Sequence, residues 1–135
     1  MNQEINRKKA AILIVEDDVE SQKFFELILR NKFGIDFCDS QKTMNNLLKE
    51  KDFDAVIMDI SLKDGTNGVD LIKEIRSKSK RMDFPIICLS GHVYGENRIR
   101  AKQAGADVYL TKPVKGQLLL NTLEELLTTN LDEKK

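Results

Sequence analysis

The chain contains few residues that could form covalent cross-links. It has only two cysteines, Cys38 and Cys88, among 135 residues, which is too few for a disulfide framework. A chain of this length can bury a sizeable core without disulfides or a structural metal. We therefore expect both cysteines to be buried free thiols within one domain.

Net charge is the second feature that the chain lacks. Lys and Arg together number 22, and Asp and Glu together also number 22, so the formal net charge is zero. A general nucleic-acid or membrane-surface binder would carry a basic excess. We interpret the local basic cluster at 73–81 as a solvated helix end, where cations interact favourably with the helix dipole. The sequence therefore predicts no direct nucleic-acid partner.

Long apolar runs are also missing. No stretch approaches the roughly 20 apolar residues that a membrane-crossing helix needs. Residues 1–9 are polar and charged, and no signal-peptide pattern follows them. The sequence therefore predicts a cytoplasmic protein that has no membrane partner.

The chain does contain five short apolar runs, and an amphipathic segment follows each of them. The predicted strands lie at 10–16, 35–38, 54–59, 85–90 and 107–110. Three of the runs, AILIV, AVIM and IICL, are continuously apolar, which is typical of parallel strands that helices cover on both faces. The alternation predicts a doubly wound α/β fold with a five-stranded parallel sheet and helices on both faces.

Apolar residues at helical spacing indicate five helices after the strands. Their core-facing stripes are predicted as Phe24, Leu27 and Ile28, then Leu47 and Leu48 in a helix at 43–50, then Val69, Ile72 and Ile75, then Ala101 and Ala104 in a helix at 94–103, and finally Leu119, Leu123, Leu126 and Leu127. The fourth helix is poor in apolar residues, and Ile99 is expected to point away from its core side. We predict one domain at 10–128, with flexible tails at 1–9 and 129–135.

Polar residues gather where the predicted strands end. They are Glu16, Asp17 and Asp18 after the first strand, Asp59 at the end of the third, Ser90 at the end of the fourth, and Lys112 after the fifth. The carboxyl ends of parallel strands meet at one edge of a sheet, where ligands bind. Clustered acids repel one another, and Mg2+ with all-oxygen ligands is the simplest compensation. A nucleophilic carboxylate, a metal and a lysine together indicate phosphoryl transfer to an aspartate.

Four segments at these positions resemble the signature segments of response-regulator receiver domains. They are ILIVEDD at 12–18, DAVIMDI at 54–60, PIICLSG at 85–91 and GADVYLTKP at 105–113. The resemblance extends from about residue 11 to residue 127. It implies the flavodoxin-like strand order 2-1-3-4-5.

The resemblance also implies a role for each matching residue. Asp59 is the expected phosphoacceptor, assisted by Ser90 and Lys112. The expected metal ligands are Glu16, Asp17, Asp59 and the backbone carbonyl of Ser61. Ser90 and Tyr109 are the expected switch pair, although Tyr109 also suits ordinary core packing. Pro113 is expected to follow a cis peptide bond, and Asp18 suits helix capping better than metal binding.

The sequence departs from the common receiver pattern at two positions. Many receivers have a proline four residues after the phosphoacceptor, where this chain has Lys63. We therefore expect a more mobile loop at 63–67. Gly91 stands where alanine is frequent, and this keeps the entrance of the phosphoryl site open.

The implied function is that of a phosphoacceptor in a two-component system rather than a classical enzyme. The implied partners are a sensor histidine kinase or phosphotransfer protein, and an unidentified downstream protein. Three alternative functions fit the sequence less well. An aspartyl-nucleophile phosphatase needs an acid at position 61, where Ser61 cannot serve; a flavin-binding module needs a phosphate loop where this chain has acids; and an interaction module independent of phosphorylation would not need the intact site.

Overall fold

The computed structural model describes residues 9–78, 83–91 and 95–134, and for residues 95, 96 and 129–134 it describes the backbone only. The predicted tail at 1–9 therefore lies outside the described residues except at position 9. Tyr94, predicted to begin the fourth helix, and residues 79–81 of the basic cluster also lie outside them. The described helices and strands all belong to one α/β layer structure.

Five strands form a single parallel sheet, as predicted. They are β1 (Ala10–Val15), β2 (Phe33–Cys38), β3 (Ala55–Asp59), β4 (Ile86–Ser90) and β5 (Val108–Thr111). Their order is β2-β1-β3-β4-β5, which confirms the predicted flavodoxin-like order. The register pairs Asp59 with Leu89 and Ser90 with Thr111. The carboxyl ends of β3, β4 and β5 therefore finish side by side.

Five helices connect and follow the strands. They are α1 (Val19–Leu29), α2 (Gln41–Glu50), α3 (Gly68–Ser77), α4 (Gly95–Ala104) and α5 (Gly116–Lys134). The carboxylate of Asp18 accepts from the peptide N–H of Ser21, which confirms the predicted cap of α1. Helix α5 continues past position 128 to Lys134, because residues 129–134 contain no Gly or Pro to end it.

Two apolar layers cover the two faces of the sheet. On one face, α1 and α5 pack against Ile12, Ile14, Ile57 and Ile87. On the other, α2, α3 and α4 pack against alternate residues of the same strands. Because both faces are buried, the strands are continuously apolar rather than alternating. Cys38 and Cys88 are free thiols in this core, and burial raises the pKa of each to about 12.

The predicted core face of α1 is wrong at one position. Leu27 is 69% exposed, whereas Phe25 and Leu29 are the buried residues of this helix. Each residue advances a helix by about 100°, so Leu27 lies about 200° from Phe25 and points to solvent. Phe24 and Ile28 border the buried face and are partly buried.

The other predicted stripes are confirmed, with small differences. Val69, Ile72, Ile75, Ala101, Ala104, Leu119 and Leu123 are buried, while Leu47, Leu48, Leu126 and Leu127 are partly buried. Met44, which was not predicted, is the fully buried residue of α2. Ile99 is 58% exposed, as expected.

Arg76 is not a solvated member of the basic cluster, and this corrects the interpretation of that segment. Its guanidinium donates to the carbonyl of Gly105 from Nε (3.1 Å) and Nη2 (2.9 Å), and to the carbonyl of Phe84 from Nη1 (2.7 Å). Nη2 also pairs with Asp107 at 3.1 Å. Gly105 has φ +123°, and a Cβ there would lie 2.6 Å from Cγ of Arg76. Arg76 therefore joins α3 to the segments that precede β4 and β5.

We expect Arg76→Ala to lower the free energy of unfolding by about 2–3 kcal/mol, because it removes the guanidinium that donates to the two carbonyls and pairs with Asp107. Chemical denaturation of both proteins measures the difference. Lys73→Ala, an exposed change on the same helix, serves as the control and should stay within about 0.5 kcal/mol of the wild type. Equal stability of the two variants would contradict this role for Arg76.

Candidate phosphoacceptor and metal site

The predicted acids converge at the carboxyl edge of the sheet. Glu16 and Asp17 follow β1, and Asp59 is the last residue of the neighbouring β3. One carboxylate oxygen from each of the three lies within 4.8 Å of the others. The central position of β1 and β3 in the sheet brings these side chains together.

A peptide N–H holds each of these three carboxylates. Glu16 Oε2 accepts from the N–H of Asp18 at 3.1 Å, and Asp59 Oδ1 accepts from the N–H of Ser61 at 3.1 Å. Asp17 Oδ2 accepts from the N–H of Lys63 at 2.6 Å. Within the part of the chain that the structure describes, Asp17 Oδ1 and Asp59 Oδ2 have no such partner. No peptide group among the described residues therefore occupies these two oxygens.

Lys112 provides the positive charge of the site. Its Nζ lies 3.3 Å from Asp59 Oδ1 and 3.3 Å from Glu16 Oε1. Its peptide N–H donates to the carbonyl of Ser90 at 2.7 Å, which ties the start of the β5–α5 loop to the end of β4. The Lys112–Pro113 peptide bond is cis, as predicted.

Burial sets the protonation behaviour of the site. Glu16 and Asp59 are only 1% and 4% exposed. Desolvation by burial, together with the neighbouring Asp59 charge, raises the pKa of Glu16 to about 7 although Lys112 opposes the shift. Burial would lower the pKa of Lys112, but the carboxylates of Asp59 and Glu16 outweigh it and raise this pKa. The site therefore disfavours a full negative charge on Glu16 and favours the positive charge of Lys112.

The predicted switch residues lie on the neighbouring strands β4 and β5. Ser90 ends β4 and is fully buried, and Tyr109 of β5 is 5% exposed. The Arg98 guanidinium of α4 lies over the Tyr109 ring at 5.2 Å from its centroid, a cation–π contact. The ring of Tyr109 is therefore packed inward beneath α4.

Ser61 and Gly91 lie just beyond the ends of β3 and β4. Ser61 follows β3 by two residues, is exposed, and forms an isolated bridge with Asn67. A Cβ added at Gly91 would meet no atom within 4 Å, so this position leaves open space beside Ser90.

Asp18 caps α1, and the peptide N–H of Ser21 lowers the pKa of its carboxyl. Asp18 is not among the grouped acids.

Sequence reasoning missed two features beside the site. One is the bond from the Lys63 peptide to Asp17, for which the sequence has no signal because every residue except proline carries a peptide N–H. The other is a cavity of about 480 Å³ between α1 and the loop after β5. Its lining is mostly apolar, includes Phe24, Phe25 and Val114, and reaches Lys112.

The donor set fits a hard divalent cation. All the candidate side-chain ligands are carboxylate oxygens, and among the described residues no peptide group donates to Asp17 Oδ1 or Asp59 Oδ2. Mg2+ prefers such oxygen ligands and keeps several waters, so it does not need a closed protein cage. A bound cation would also stabilise the ionised form of Glu16, whose pKa is raised by burial and by Asp59.

Comparison with known proteins agrees with the geometry. The family model of the response regulator receiver domain matches residues 12–124. The chain therefore belongs to the response regulator receiver domain family. Receiver domains of this family are signalling domains rather than classical enzymes, and they take phosphoryl groups from histidine kinases.

The similar proteins include both longer regulators and single receivers. The chain is 36% identical over 117 residues to the regulatory protein VanRB of Enterococcus faecalis, covering 86% of this chain and 51% of that protein. It is 30% identical over 127 residues to the chemotaxis protein CheY-3 of Vibrio cholerae, covering 90% and 95%. The chain thus spans about half the length of some curated relatives that it matches.

One solved structure bears on the metal. It is the receiver domain of a Pseudomonas aeruginosa sensor histidine kinase with a magnesium ion coordinated in the active-site cleft. It is 27% identical to this chain, with a TM-score of 0.79 and coverage of 89% of this chain and 98% of that one.

Among the described residues, no helix of this chain has the length and apolar character that a membrane span needs.

The raised pKa of Glu16 predicts a pH-dependent stability in the absence of divalent metal. Between pH 4.5 and about 7 the folded protein holds a proton on Glu16 that the unfolded chain has released. Stability should therefore fall as pH rises through this window, by on the order of 1–3 kcal/mol.

Denaturation of the metal-free protein at pH 5 and pH 8 measures this loss. In Glu16→Gln the charge is removed, so the loss between the two pH values should be smaller than in the wild type. The exposed Glu26→Gln should retain the wild-type difference. Identical pH profiles for all three proteins would show that Glu16 is not the responsible group.

Proposed function

We propose that Asp59 accepts a phosphoryl group from a sensor histidine kinase or phosphotransfer protein, with Mg2+ held by Glu16, Asp17, Asp59 and the carbonyl of Ser61. The observation that carries the proposal is the position of Lys112 Nζ, 3.3 Å from both Asp59 and Glu16 within an acidic cluster. A lysine shared in this way balances the acids in the free protein and faces the position of a transferred phosphoryl oxygen.

In the proposed reaction, Asp59 Oδ2 attacks the phosphorus atom of a phosphohistidine. The new O–P bond forms while the N–P bond breaks, and the electron pair stays on the imidazole nitrogen, which is left neutral or takes a proton from solvent. The peptide N–H of Ser61 and the ammonium of Lys112 hold Oδ1, so that Oδ2 is the oxygen presented. Bound Mg2+ supplies further positive charge against the carboxylates and the phosphoryl oxygens.

The apolar cavity is the docking place that we propose for the donor protein. It extends from Phe24 on α1 to Val114 after β5, and Lys112 lines it on the side of the acids. A donor helix seated against this apolar surface would carry its phosphohistidine toward Asp59. The kinase, the downstream partner and the cytoplasmic location all stay predictions.

Ser90 and Tyr109 would convert phosphorylation into a surface change. A hydroxyl drawn from the end of β4 toward the phosphoryl group vacates space beside β5, where the Tyr109 ring is packed. Helix α4 is the element that would respond, because Ala101 and Ala104 are the only buried residues among its described side chains. Its exposed Ile99 would then be part of the partner contact.

Two alternatives compete with this proposal. A receiver-like module that acts without phosphorylation would not need Lys112 placed between two buried acids, and this geometry favours the phosphoacceptor. An aspartyl-nucleophile phosphatase would need a general acid at position 61, where the side chain is the hydroxyl of Ser61.

We expect a phosphoryl-sized mass gain when the protein is incubated with Mg2+ and a small acyl phosphate. Asp59→Asn should abolish the gain, because an amide is a far weaker nucleophile than a carboxylate. Intact mass spectrometry measures it, and Asp39→Asn on an exposed loop is the matched control that should gain mass like the wild type. A stable gain on Asp59→Asn would place the nucleophile elsewhere.

We expect a phosphoryl mimic bound at Asp59 to move the amide resonances of α4 and of Tyr109 as well as those of the site. A coupling of about 1–3 kcal/mol between the site and this face is typical for such switches. Amide shift mapping of the Mg2+-loaded protein with and without beryllofluoride measures it. Shifts confined to the Asp59 pocket would leave α4 without a signalling role.

A further inference from the structure

The loop after β3 makes a bond to the loop after β1 that neither loop needs for its own shape. The peptide N–H of Lys63 donates to Asp17 Oδ2 across 46 positions of sequence, at 2.6 Å. The loop closes separately, since Gly65 N–H donates to Leu62 at 3.1 Å and Ser61 pairs with Asn67. Buried Leu62 anchors the loop to the core. The Lys63 bond is therefore an additional tie between two loops.

This tie joins two of the expected metal ligands. Asp17 supplies a carboxylate from one loop, and Ser61, two residues before Lys63, supplies a carbonyl from the other. With Oδ2 held by the peptide, Asp17 has Oδ1 left for a ligand. A free carboxylate side chain would have to lose its rotational freedom when the metal binds, whereas a carboxylate that is already held has lost it beforehand.

The side chain of Lys63 has a different and weaker contact. Its Nζ lies 3.4 Å from Asp18 Oδ1, and the two side chains are 68% and 42% exposed. Solvent and salt screen a pair of this kind, so it contributes little. The peptide group and the ammonium of Lys63 can therefore be separated by mutation.

We propose that the peptide N–H of Lys63 is a positioning group for the magnesium site, which holds Asp17 in the orientation that binds the ion and fixes it relative to the Ser61 carbonyl. This inference rests on the proposed function. It changes the expectation for position 63: a proline there has no N–H, so lysine adds a tie to Asp17 that proline cannot make. The mobility of the loop itself stays a prediction.

Two variants separate the groups of Lys63. Lys63→Ala keeps the N–H and removes the ammonium, whereas Lys63→Pro removes both. Titration with Mg2+ alone, followed by amide shifts or calorimetry, should give Lys63→Ala a dissociation constant within about twofold of the wild type. Lys63→Pro should bind about fivefold more weakly, because metal binding must then immobilise the Asp17 side chain. Thermal unfolding without metal, run on all three proteins, separates a general loss of stability from a loss of metal affinity.

A second measurement uses the wild-type peptide directly and does not depend on the folding of Lys63→Pro. Coupling between two events is reciprocal, so if the bond favours the ion, the ion must favour the bond by the same factor. Hydrogen exchange at the Lys63 amide should therefore slow about fivefold when Mg2+ is added. Asp17→Asn keeps an acceptor oxygen and should retain the metal-free protection, whereas Asp17→Ala should lose it.

The outcomes distinguish this inference from the function on which it rests. Equal Mg2+ affinity for Lys63→Pro and Lys63→Ala, or exchange at the Lys63 amide that Mg2+ does not alter, overturns the positioning role alone. A wild-type protein that binds no Mg2+ overturns the proposed metal site together with it. A fivefold loss specific to Lys63→Pro, matched by a similar Mg2+-dependent slowing of exchange, supports the role.

Discussion

Charge compensation at the carboxyl edge of the sheet is the constraint on which the functional part of this molecule depends. Three acids are brought together there, and two of them are almost fully buried. The Lys112 ammonium and three peptide N–H groups offset the burial and mutual repulsion of these acids only in part, since the pKa of Glu16 remains raised to about 7. The fold thus maintains a site that would gain from a bound cation, and the proposed nucleophile, Asp59, is already oriented by its neighbours.

The strand order explains why these groups meet. Because β1 and β3 are neighbours in the centre of the sheet, the acids that follow β1 lie beside the acid that ends β3. The ladder from β3 through β4 to β5 then places Ser90 and Lys112 next along the same edge. The helices cover both faces of the sheet and leave this edge accessible, which is where ligands bind in open α/β sheets.

The sequence predicts the sheet well because the strand signal is local. Continuous apolar runs that end in Asp59 or Ser90 specify both the buried strand and the residue at its end. The face of α1 is harder to predict, since this helix has apolar residues on several sides and the packing against the sheet selects Phe25 over Leu27. The contact of Arg76 with Gly105 and that of the Lys63 peptide with Asp17 have no local signal, because the two partners lie 29 and 46 positions apart in the sequence.

The two ends of α4 are held differently, and this bears on how the proposed switch would work. At its carboxyl end the Arg76 guanidinium donates to Gly105, and the N–H of Ala106 donates to Ala101 at 2.9 Å. Its amino end follows the segment that leaves Ser90. A pull at Ser90 would therefore act on the amino end of a helix whose carboxyl end is fixed, and the displacement would be largest far from Gly105. Arg98, whose guanidinium lies over the Tyr109 ring, belongs to the first half of this helix. Movement of the ring and movement of the helix would therefore be parts of one rearrangement.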